Sequence, residues 1–414
     1  MAGRRRVLIS GLGIAGSTLA WWLAEFGFDV EVVERASVSR TGGYMIDFWG
    51  LGYEVAERMG IVEDLRARAY LVDQLRLERA DGEILTTIGA KAIRATMGER
   101  FISIMRGDLA SVIQRQLGDR AEIRFNESIC RVVEREGRVE VGFRRGAEAR
   151  FDLVIGADGV HSRVRELVGP PRCEYSLGYW TASFSTSGYR HRNPGAYVSF
   201  TGLGRQVARY ALRDDRTAFF FIFRAPKDRP TPRTPEDQKA VLTAHFGNAW
   251  ECKEIFESLD GAEDLYFDSV SQVRAPRWSS GRVGLVGDAA YCPSLLAGEG
   301  ACFAMAGAYV LAGELHRRGA DDPSDAFNTY ESLLRPLIER KQRGALRLGG
   351  WFAPRTRLGL SIRNGLNRLA AIPAFAPLLF GDMLSTDLEL PAYGRGGHGD
   401  AVPSKQLPTV RRAF

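Results

Sequence analysis

The sequence RVLISGLGIAG, residues 6–16, decides the fold, because it joins a short apolar run to a glycine-rich loop. Residues 6–10 (RVLIS) are typical of a buried parallel strand. Residues 14–26 are rich in Ala, Leu and Trp and predict a helix, and residues 29–33 (DVEVV) predict a second strand. A strand–helix–strand order of this kind indicates a parallel sheet with a right-handed crossover.

The glycines of this loop form the pattern GxGxxG, which is a weak signal by itself. Here the pattern follows a predicted strand, opens a predicted helix and precedes Glu34 at the end of the next strand, which is the context of a dinucleotide fingerprint. Gly11 permits the tight turn, Gly13 lets the backbone approach a pyrophosphate, and Gly16 allows close packing of helix on sheet. We therefore predict a dinucleotide site, the alternative being an ordinary glycine-rich turn.

The residues around these glycines complete the predicted nucleotide site. The helix start, with Ile14 and Ala15, presents backbone N–H groups and the positive end of the helix dipole to the phosphates. Glu34 accepts hydrogen bonds from the ribose hydroxyls, and Arg35 follows it directly. The fingerprint alone does not distinguish NAD from FAD.

Length and composition place the chain among ordinary globular proteins. Its 414 residues exceed what one hydrophobic core usually spans, which favours two interleaved domains. The residues are 45% hydrophobic and 26% charged, and the net charge of +6 is spread along the chain, which argues against a nucleic-acid partner. The five dispersed cysteines and five dispersed histidines predict neither disulfides nor a metal site. No apolar run reaches the ~18 residues of a spanning helix, so we expect a soluble cytoplasmic protein.

Two later segments carry a resemblance to a known family. Residues 154–165 read VIGADGVHSRVR, and residues 283–300 read VGLVGDAAYCPSLLAGEG. Together with the glycine loop and Glu34-Arg35, they resemble the FAD-dependent class A monooxygenases of the para-hydroxybenzoate hydroxylase type, which include relatives acting on polyketide-type natural products. The resemblance covers roughly residues 5–345. It implies an α/β fold with a Rossmann-like FAD-binding domain interleaved with a β-sheet substrate domain, plus C-terminal helices.

The order of the motifs along the chain implies the domain boundaries. The implied FAD-binding domain is discontinuous and takes residues 1–75, 100–170 and 275–345. The implied substrate domain takes residues 76–99 and 171–274, and residues 346–414 form C-terminal helices and a tail.

The resemblance assigns cofactor roles to two aspartates. Asp158, with Gly159, corresponds to the family's DG pair, which is associated with FAD and pyridine-nucleotide handling. The same carboxylate also suits the N-cap of the helix that follows. Gly287 and Asp288 correspond to the family's GD pair, whose aspartate binds the ribityl chain of the flavin.

Four further positions are placed near the cofactor by the resemblance. Backbone N–H groups at Gly298 and Gly300 face the N1 and C2=O edge of the flavin and stabilise negative charge there. Arg106 opens a helix near the pyrophosphate, where a guanidinium matches phosphate geometry, although a surface arginine at a helix start is the alternative. Arg40 lies in a loop near the flavin.

The sequence departs from the family pattern at three positions. Tyr291 stands where the family usually has histidine, and Ser294 stands where it often has proline, with Pro293 one residue earlier. Glu299 lies between the two flavin-facing glycines. Its carboxylate would oppose an anionic reduced flavin if it faced N1, and we expect it instead to point away and cap the helix.

The resemblance implies hydroxylation of an aromatic or polyketide-like small molecule with NAD(P)H and O₂. No side chain is identified as a catalytic acid or base, and no second nucleotide fingerprint is present. Because of Glu299 we keep an alternative, a redox-neutral cyclase performing [4+2] cycloaddition with FAD as a structural cofactor. The partner is a small hydrophobic or aromatic substrate, and the chain is a monomer or homodimer.

Strand alternation places half of an aromatic set in the substrate cavity. The set is Phe184, Phe200, Tyr210 and Phe219–Phe223.

Overall fold

The computed structural model describes residues 4–38, 42–169, 172–227, 229–259, 261–262, 264–319, 321–375 and 388–394. Arg40 and the tail predicted beyond residue 394 lie outside these ranges.

Strands and helices within the described residues are numbered here in chain order. The strands are β1 Arg6–Ser10, β2 Asp29–Glu34, β3 Met45–Trp49, β4 Gln74–Glu78, β5 Ile84–Gly89, β6 Phe101–Met105, β7 Glu122–Phe125, β8 Ile129–Arg135, β9 Arg138–Phe143, β10 Glu148–Phe151, β11 Leu153–Gly156, β12 Glu174–Thr186, β13 Ala196–Gly202, β14 Arg205–Ala211, β15 Thr217–Arg224, β16 Tyr266–Val273, β17 Ser279–Ser280 and β18 Val283–Leu285. The helices are α1 Ile14–Glu25, α2 Gly50–Met59, α3 Val62–Arg68, α4 Ala90–Met97, α5 Arg106–Leu117, α6 Arg163–Val168, α7 Pro235–Phe246, α8 Cys252–Leu259, α9 Asp288–Tyr291, α10 Gly300–Arg318, α11 Ser324–Phe352 and α12 Arg357–Ala370, with 3₁₀ turns at Gly118–Arg120 and Leu295–Ala297.

A six-stranded sheet carries the glycine loop. Its strand order is β17-β18-β11-β1-β2-β7, and every pair is parallel except β17 with β18. The central strands β1 and β11 are buried along almost their whole length, as expected for strands with both faces covered. Helix α1 packs between α5 and α10, which explains why ten of its residues are buried rather than one stripe. The predicted parallel α/β fold is confirmed.

A seven-stranded sheet forms the second layer, in the order β16-β12-β15-β14-β13-β4-β5. Its pairs are antiparallel except β13 with β4. Residues 74–89 therefore join the sheet formed by residues 174–273. One face of the sheet buries an aromatic core against α7 and α8. The domain boundaries drawn from the sequence stay a prediction.

Three helices, α10, α11 and α12, follow the loop that contains Gly287 and Asp288. Helix α10 is buried over most of its length and packs against α1, α2 and α11. Helix α11 runs on through Pro336 and ends near the seven-stranded sheet. Helix α12 then lies along β5, with Arg363, Asn367 and Ala370 on its buried face. Among the described helices, none is both long and apolar enough to cross a bilayer.

Candidate active site

A continuous cavity of about 490 Å³ reaches from the glycine loop to the seven-stranded sheet and α12. One end is lined mainly by backbone of the glycine loop and of the GD-type loop. The other end is lined by side chains of the sheet and of the C-terminal helices. Of the sites predicted from sequence, the following line it: Gly13, Ile14, Ala15, Arg106, Asp288, Gly298 and Gly300.

The three fingerprint glycines serve different steric purposes. Gly11 has φ +102°, and a Cβ there would lie 2.6 Å from the carbonyl oxygen of Ala157. A Cβ on Gly16 would overlap the Gly11 carbonyl oxygen. Gly13, by contrast, has φ −74° and no protein atom within 4 Å of an added Cβ. Gly11 and Gly16 thus build the turn, and Gly13 opens onto the cavity.

Glu34 holds the glycine loop to the end of β2. Its carboxylate accepts hydrogen bonds from the backbone N–H of Leu12 and of Ala36, each at 2.9 Å. These bonds fix its oxygens beside the loop, and each oxygen keeps a lone pair for a further donor such as a ribose hydroxyl. Arg35 is exposed and does not line the cavity.

Asp288 presents a buried carboxylate to the cavity. Among the described residues its hydrogen-bond partner is the thiol of Cys292, and burial raises its pKa while the nearby charge of Arg106 lowers it. Gly287 has φ +65°, and a Cβ there would lie 2.8 Å from the Ala15 side chain, so glycine lets the two loops meet. A buried carboxylate with so few protein donors suits a ligand that is rich in hydroxyl groups.

Arg106 and Tyr44 stand opposite this carboxylate. Arg106 begins α5, lines the cavity and has no carboxylate within ion-pair distance in the described part of the chain. Its backbone N–H donates to the Tyr44 carbonyl at 3.1 Å. Burial raises the pKa of the Tyr44 phenol to about 12, so it stays a neutral hydrogen-bond donor. Sequence reasoning missed Tyr44, although it directly follows the paired glycines at 42 and 43.

Asp158 lies behind the cavity rather than in its wall. Its carboxylate accepts hydrogen bonds from Ser162 Oγ at 2.5 Å and from the backbone N–H of Arg163 and Val164 at 2.8 and 3.1 Å. These bonds satisfy the first N–H groups of α6, but the N-cap is Ser162, whose hydroxyl accepts from the Arg165 N–H at 3.0 Å, so the N-cap prediction for Asp158 was wrong by four residues. The neighbouring Gly159 does line the cavity, so Asp158 acts by holding that loop.

Sequence reasoning also missed Arg165, which joins the two aspartate loops. Its guanidinium is buried and donates to the carbonyl oxygens of Ala289 at 2.9 Å and Val160 at 2.6 Å. Arg163, the first arginine of the same segment, is exposed and pairs with Glu166. The motif HSRVR contains both arginines, and only the turn of α6 decides which one faces inward.

The Glu299 side chain points away from the cavity, as expected, but it does not cap α10. Its carboxylate forms an ion pair with Lys341 of α11 at 2.8 Å, and both side chains are largely buried. Burial raises the pKa of Glu299 to about 7, against the lowering effect of Lys341. The helix-cap prediction was therefore wrong, because a cation on the adjacent helix lay beyond what local sequence shows.

The other two departures from the family pattern have structural reasons. Tyr291 is buried against Trp278, with ring centroids 4.4 Å apart, and its hydroxyl occupies the space that a Cβ on Gly307 would need. Ser294 has φ +91° and ψ 149°, and proline, whose ring fixes φ near −65°, does not fit that backbone. The proline at 293 therefore ends the preceding turn, and the loop follows a different path from the one that a proline at 294 would impose.

The sheet face that borders the cavity is more polar than the sequence suggested. Tyr210 and Phe220 face the cavity, together with Tyr197, Ser199 and Gln206. The other aromatic residues of the predicted set belong to the core behind the sheet; these are Phe184, Phe200, Phe219, Phe221 and Phe223, of which Phe219 also reaches the cavity edge.

A comparison with protein families decides the identity of the nucleotide. The family model described as "FAD binding domain" matches residues 4–343 of this chain. The chain belongs to this family of FAD-dependent monooxygenases. A "Flavin-dependent monooxygenase" from an unknown prokaryotic organism is 31% identical over 348 residues, covering 81% of this chain and 87% of the relative.

Two solved structures are similar along most of the chain. The tetracycline destructase Tet(51) has a TM-score of 0.80 at 30% identity, covering 94% of this chain and 100% of that one. The Klebsiella pneumoniae HpxO complexed with FAD and uric acid has a TM-score of 0.74 at 22% identity, covering 89% of this chain and 94% of that one. The first likeness includes sequence, and the second shows the shared fold.

FAD is the cofactor, and the chemistry of the cavity fits it. The open position at Gly13 and the start of α1 provide backbone N–H donors where a pyrophosphate needs them. The buried carboxylate of Asp288 lacks hydroxyl partners of its own among the described residues. The start of α10, at Gly300, presents further N–H groups to the same cavity. We keep the assignment of individual contacts as a proposal.

Proposed function

We propose that this chain uses NAD(P)H and O₂ to hydroxylate an aromatic or polyketide-like small molecule. The observation that carries the proposal is the continuity of the cavity, around which the glycine and Gly287-Asp288 loops and one face of the seven-stranded sheet are both placed. Bound FAD supplies the electron transfer and the activation of O₂. The protein supplies position, water exclusion and charge.

The residues at the cofactor end would hold the flavin as follows. The Gly13 loop and Arg106 bind the pyrophosphate, Glu34 binds the adenosine ribose, and Asp288 binds the ribityl hydroxyls. Gly298 and Gly300 leave the N-terminus of α10 free to stabilise negative charge at one edge of the ring. Tyr44 donates a hydrogen bond without ionising.

The substrate would lie against the sheet face that carries Tyr210 and Phe220. Aromatic side chains there offer flat apolar surface for a ring system, and the phenol of Tyr197 offers a polar contact. Tetracycline, on which the similar destructase acts, is an aromatic polyketide and is a reasonable first probe.

The redox-neutral alternative was motivated by Glu299 near the flavin. Its carboxylate instead pairs with Lys341, outside the cavity wall, so that support is removed. We therefore keep the monooxygenase as the proposal.

The test is anaerobic mixing of the FAD-loaded protein with NADPH or NADH, with and without tetracycline or 1-naphthol. Bleaching of the flavin that accelerates with the aromatic compound, followed in air by a product heavier by one oxygen atom, is the expected result. Absence of reduction by either nicotinamide would contradict the proposal. Conversion of a polyene substrate without nicotinamide, O₂ or a change of mass would support the cyclase instead.

A further inference from the structure

Three buried polar side chains line the part of the cavity that is formed by the seven-stranded sheet and α12. They are Gln206 of β14 and, one turn apart on α12, Arg363 and Asn367. Their exposed fractions are 5%, 5% and 4%, so all three are nearly withdrawn from solvent. We call them the polar end.

The fold brings these residues together for identifiable reasons. Gln206 projects from the same face of β14 as Ala208 and Tyr210, because side chains alternate along a strand. The hairpin between β13 and β14 is tied to the corner between α11 and α12, since the Gly204 N–H donates to the Pro354 carbonyl at 2.8 Å. The start of α12 is thereby held near this hairpin, and the helix packs along β5 at the edge of the sheet.

Two atoms of the polar end lack hydrogen-bond partners. Gln206 Oε1 and Asn367 Nδ2 are both buried, and neither has a partner in the described part of the chain. A buried polar atom without a partner costs about 1–3 kcal/mol, so native proteins rarely keep one without a purpose. One of these atoms is an acceptor and the other is a donor.

Arg363 is a buried cation that no carboxylate of the described residues neutralises. Its Nε donates to the Trp351 carbonyl at 2.8 Å and its Nη1 to Asn364 Oδ1 at 3.2 Å. No carboxylate pairs with it among the described residues, and burial lowers its pKa to about 10. Arg209, which is buried on the opposite face of the sheet, pairs with Glu251 at 2.6 Å.

The comparison of Arg363 with Arg209 indicates which chemical group the polar end lacks. Ordered water satisfies single donors and acceptors such as those of Gln206 and Asn367. Water does not supply the negative charge that a buried guanidinium requires. Among the described residues the polar end therefore lacks an anion, which a bound ligand would supply.

We propose that the polar end binds the acidic edge of the substrate, and this rests on the proposed function. An anionic oxygen, from a carboxylate or an enolised 1,3-dicarbonyl, pairs with Arg363. A neighbouring hydroxyl donates to Gln206 Oε1, and a carbonyl or carboxylate oxygen accepts from Asn367 Nδ2. The remaining rings extend along Tyr210 and Phe220 toward the flavin. The substrate class is thus an aromatic acid or acidic polyketide with a hydroxyl beside the acidic group.

The first arm of the test compares three probes on the wild-type, FAD-loaded protein. The probes are 1-hydroxy-2-naphthoate, which has both groups, 2-naphthoate, which has only the anion, and 1-naphthol, which has only the hydroxyl. Dissociation constants are measured from perturbation of the oxidised flavin spectrum. We expect 1-hydroxy-2-naphthoate to bind at least ~10-fold more tightly than 1-naphthol, equivalent to about 1.4 kcal/mol. Equal affinities, or no binding of 1-hydroxy-2-naphthoate at millimolar concentration, would overturn the proposal.

The second arm uses variants of the polar end. Arg363→Gln is expected to abolish the preference for the naphthoates and to leave 1-naphthol affinity within about twofold, because a charge-assisted hydrogen bond is what it removes. Arg363→Lys keeps the charge and should retain part of the preference. Asn367→Leu removes a donor to the acid group and should weaken 1-hydroxy-2-naphthoate more than 1-naphthol. Gln206→Leu removes the acceptor of the hydroxyl and should weaken 1-hydroxy-2-naphthoate more than 2-naphthoate.

Arg357→Gln is the matched control, because Arg357 is on the same helix but exposed. It should leave all three affinities unchanged. Flavin content and thermal unfolding of each variant establish that the protein is folded. A preference that survives in Arg363→Gln, or is lost equally in Arg357→Gln, would contradict the proposal.

These measurements use oxidised flavin and neither NAD(P)H nor O₂. A failure of oxygen transfer would therefore refute the proposed function and leave the binding preference measurable. Conversely, oxygen transfer to a neutral aromatic compound together with no acid preference would refute only this inference.

Discussion

Replacing Gly13 by alanine is expected to weaken FAD binding while leaving the stability of the apoprotein nearly unchanged. An added Cβ at this position meets no protein atom within 4 Å, and its φ of −74° is ordinary for any residue. Loss of glycine from the N-cap position is unfavourable by a fraction of a kcal/mol, and the smaller entropy of the unfolded chain offsets it by roughly 0.4–1 kcal/mol. We therefore expect the stability of the apoprotein to change by less than ~1 kcal/mol.

The affinity for FAD should respond quite differently to Gly13→Ala. The methyl group would occupy the space through which the pyrophosphate approaches the start of α1. Each charge-assisted hydrogen bond that is lost there is worth about 1.5–3 kcal/mol, or roughly 10–150-fold in affinity. The measurement is a titration of FAD into apoprotein, paired with denaturant unfolding of the same sample.

Gly16→Ala is the contrasting variant, because its Cβ would overlap the Gly11 carbonyl oxygen inside the protein. It should destabilise even the apoprotein, by ~1–3 kcal/mol or more. The reasoning would be refuted if Gly13→Ala bound FAD as tightly as the wild type. It would equally be refuted if Gly16→Ala unfolded at the wild-type denaturant concentration.

Three further predictions concern the rest of the site. Asp288→Ala should weaken FAD binding by ~1–3 kcal/mol, because an acceptor for ribityl hydroxyls is lost, and an unchanged dissociation constant in the same titration would contradict this. Glu299→Gln should remove a pH dependence of stability. The pKa of the Glu299 carboxyl is raised from 4.5 to about 7 in the folded protein. The carboxyl therefore stabilises the fold fully below about pH 4.5, and this stabilisation is lost as the pH rises through about 7. Between about pH 5 and about pH 8 the unfolding free energy of the wild type should therefore fall relative to Glu299→Gln by at most ~3 kcal/mol, and parallel curves from denaturant unfolding would exclude the effect. Gly307→Ala should destabilise the protein by ~1–3 kcal/mol, because the Tyr291 hydroxyl fills the space that the added Cβ would need. The control Gly344→Ala, at a helical position with open space around it, should stabilise the protein by up to ~1 kcal/mol. A Gly307→Ala variant that is more stable than the wild type in thermal unfolding would contradict this packing.

Several residues that line one end of the cavity were predictable from the sequence, because backbone geometry restricts the residue types there. A pyrophosphate needs free N–H groups and no Cβ at the point of approach, and a helix meeting a strand closely needs glycine at Gly16. Requirements of this kind fix residue types at short spacings, which a single sequence displays. The same holds for Gly287 and Asp288, where a tight turn and a buried acceptor are adjacent in the chain.

Side-chain partners across the fold were not predictable in this way. The cap expected for Glu299 was replaced by an ion pair with Lys341, which is on the next helix. The inward arginine of the DG segment is Arg165 rather than Arg163, and only the phase of a six-residue helix decides between them. Strand alternation predicted that half of the aromatic set would lie in the cavity, but only Tyr210 and Phe220 of its seven members face it, because alternation does not say which face of the sheet the cavity borders.

The polar end shows why cofactor and substrate recognition are separable in this chain. Residues 4–343 match the family model, and they include the loops proposed to bind FAD and the β14 position of Gln206. Arg363 and Asn367 lie beyond that segment, on a helix that touches the sheet through β5 rather than through the cofactor loops. A substitution at Arg363 or Asn367 is therefore expected to change the preference for acidic ligands without moving Gly13 or the start of α10. Because a buried guanidinium that no described carboxylate neutralises is costly, the same arrangement is expected to favour acidic ligands over neutral ones of equal size, in the part of the cavity formed by the sheet and α12.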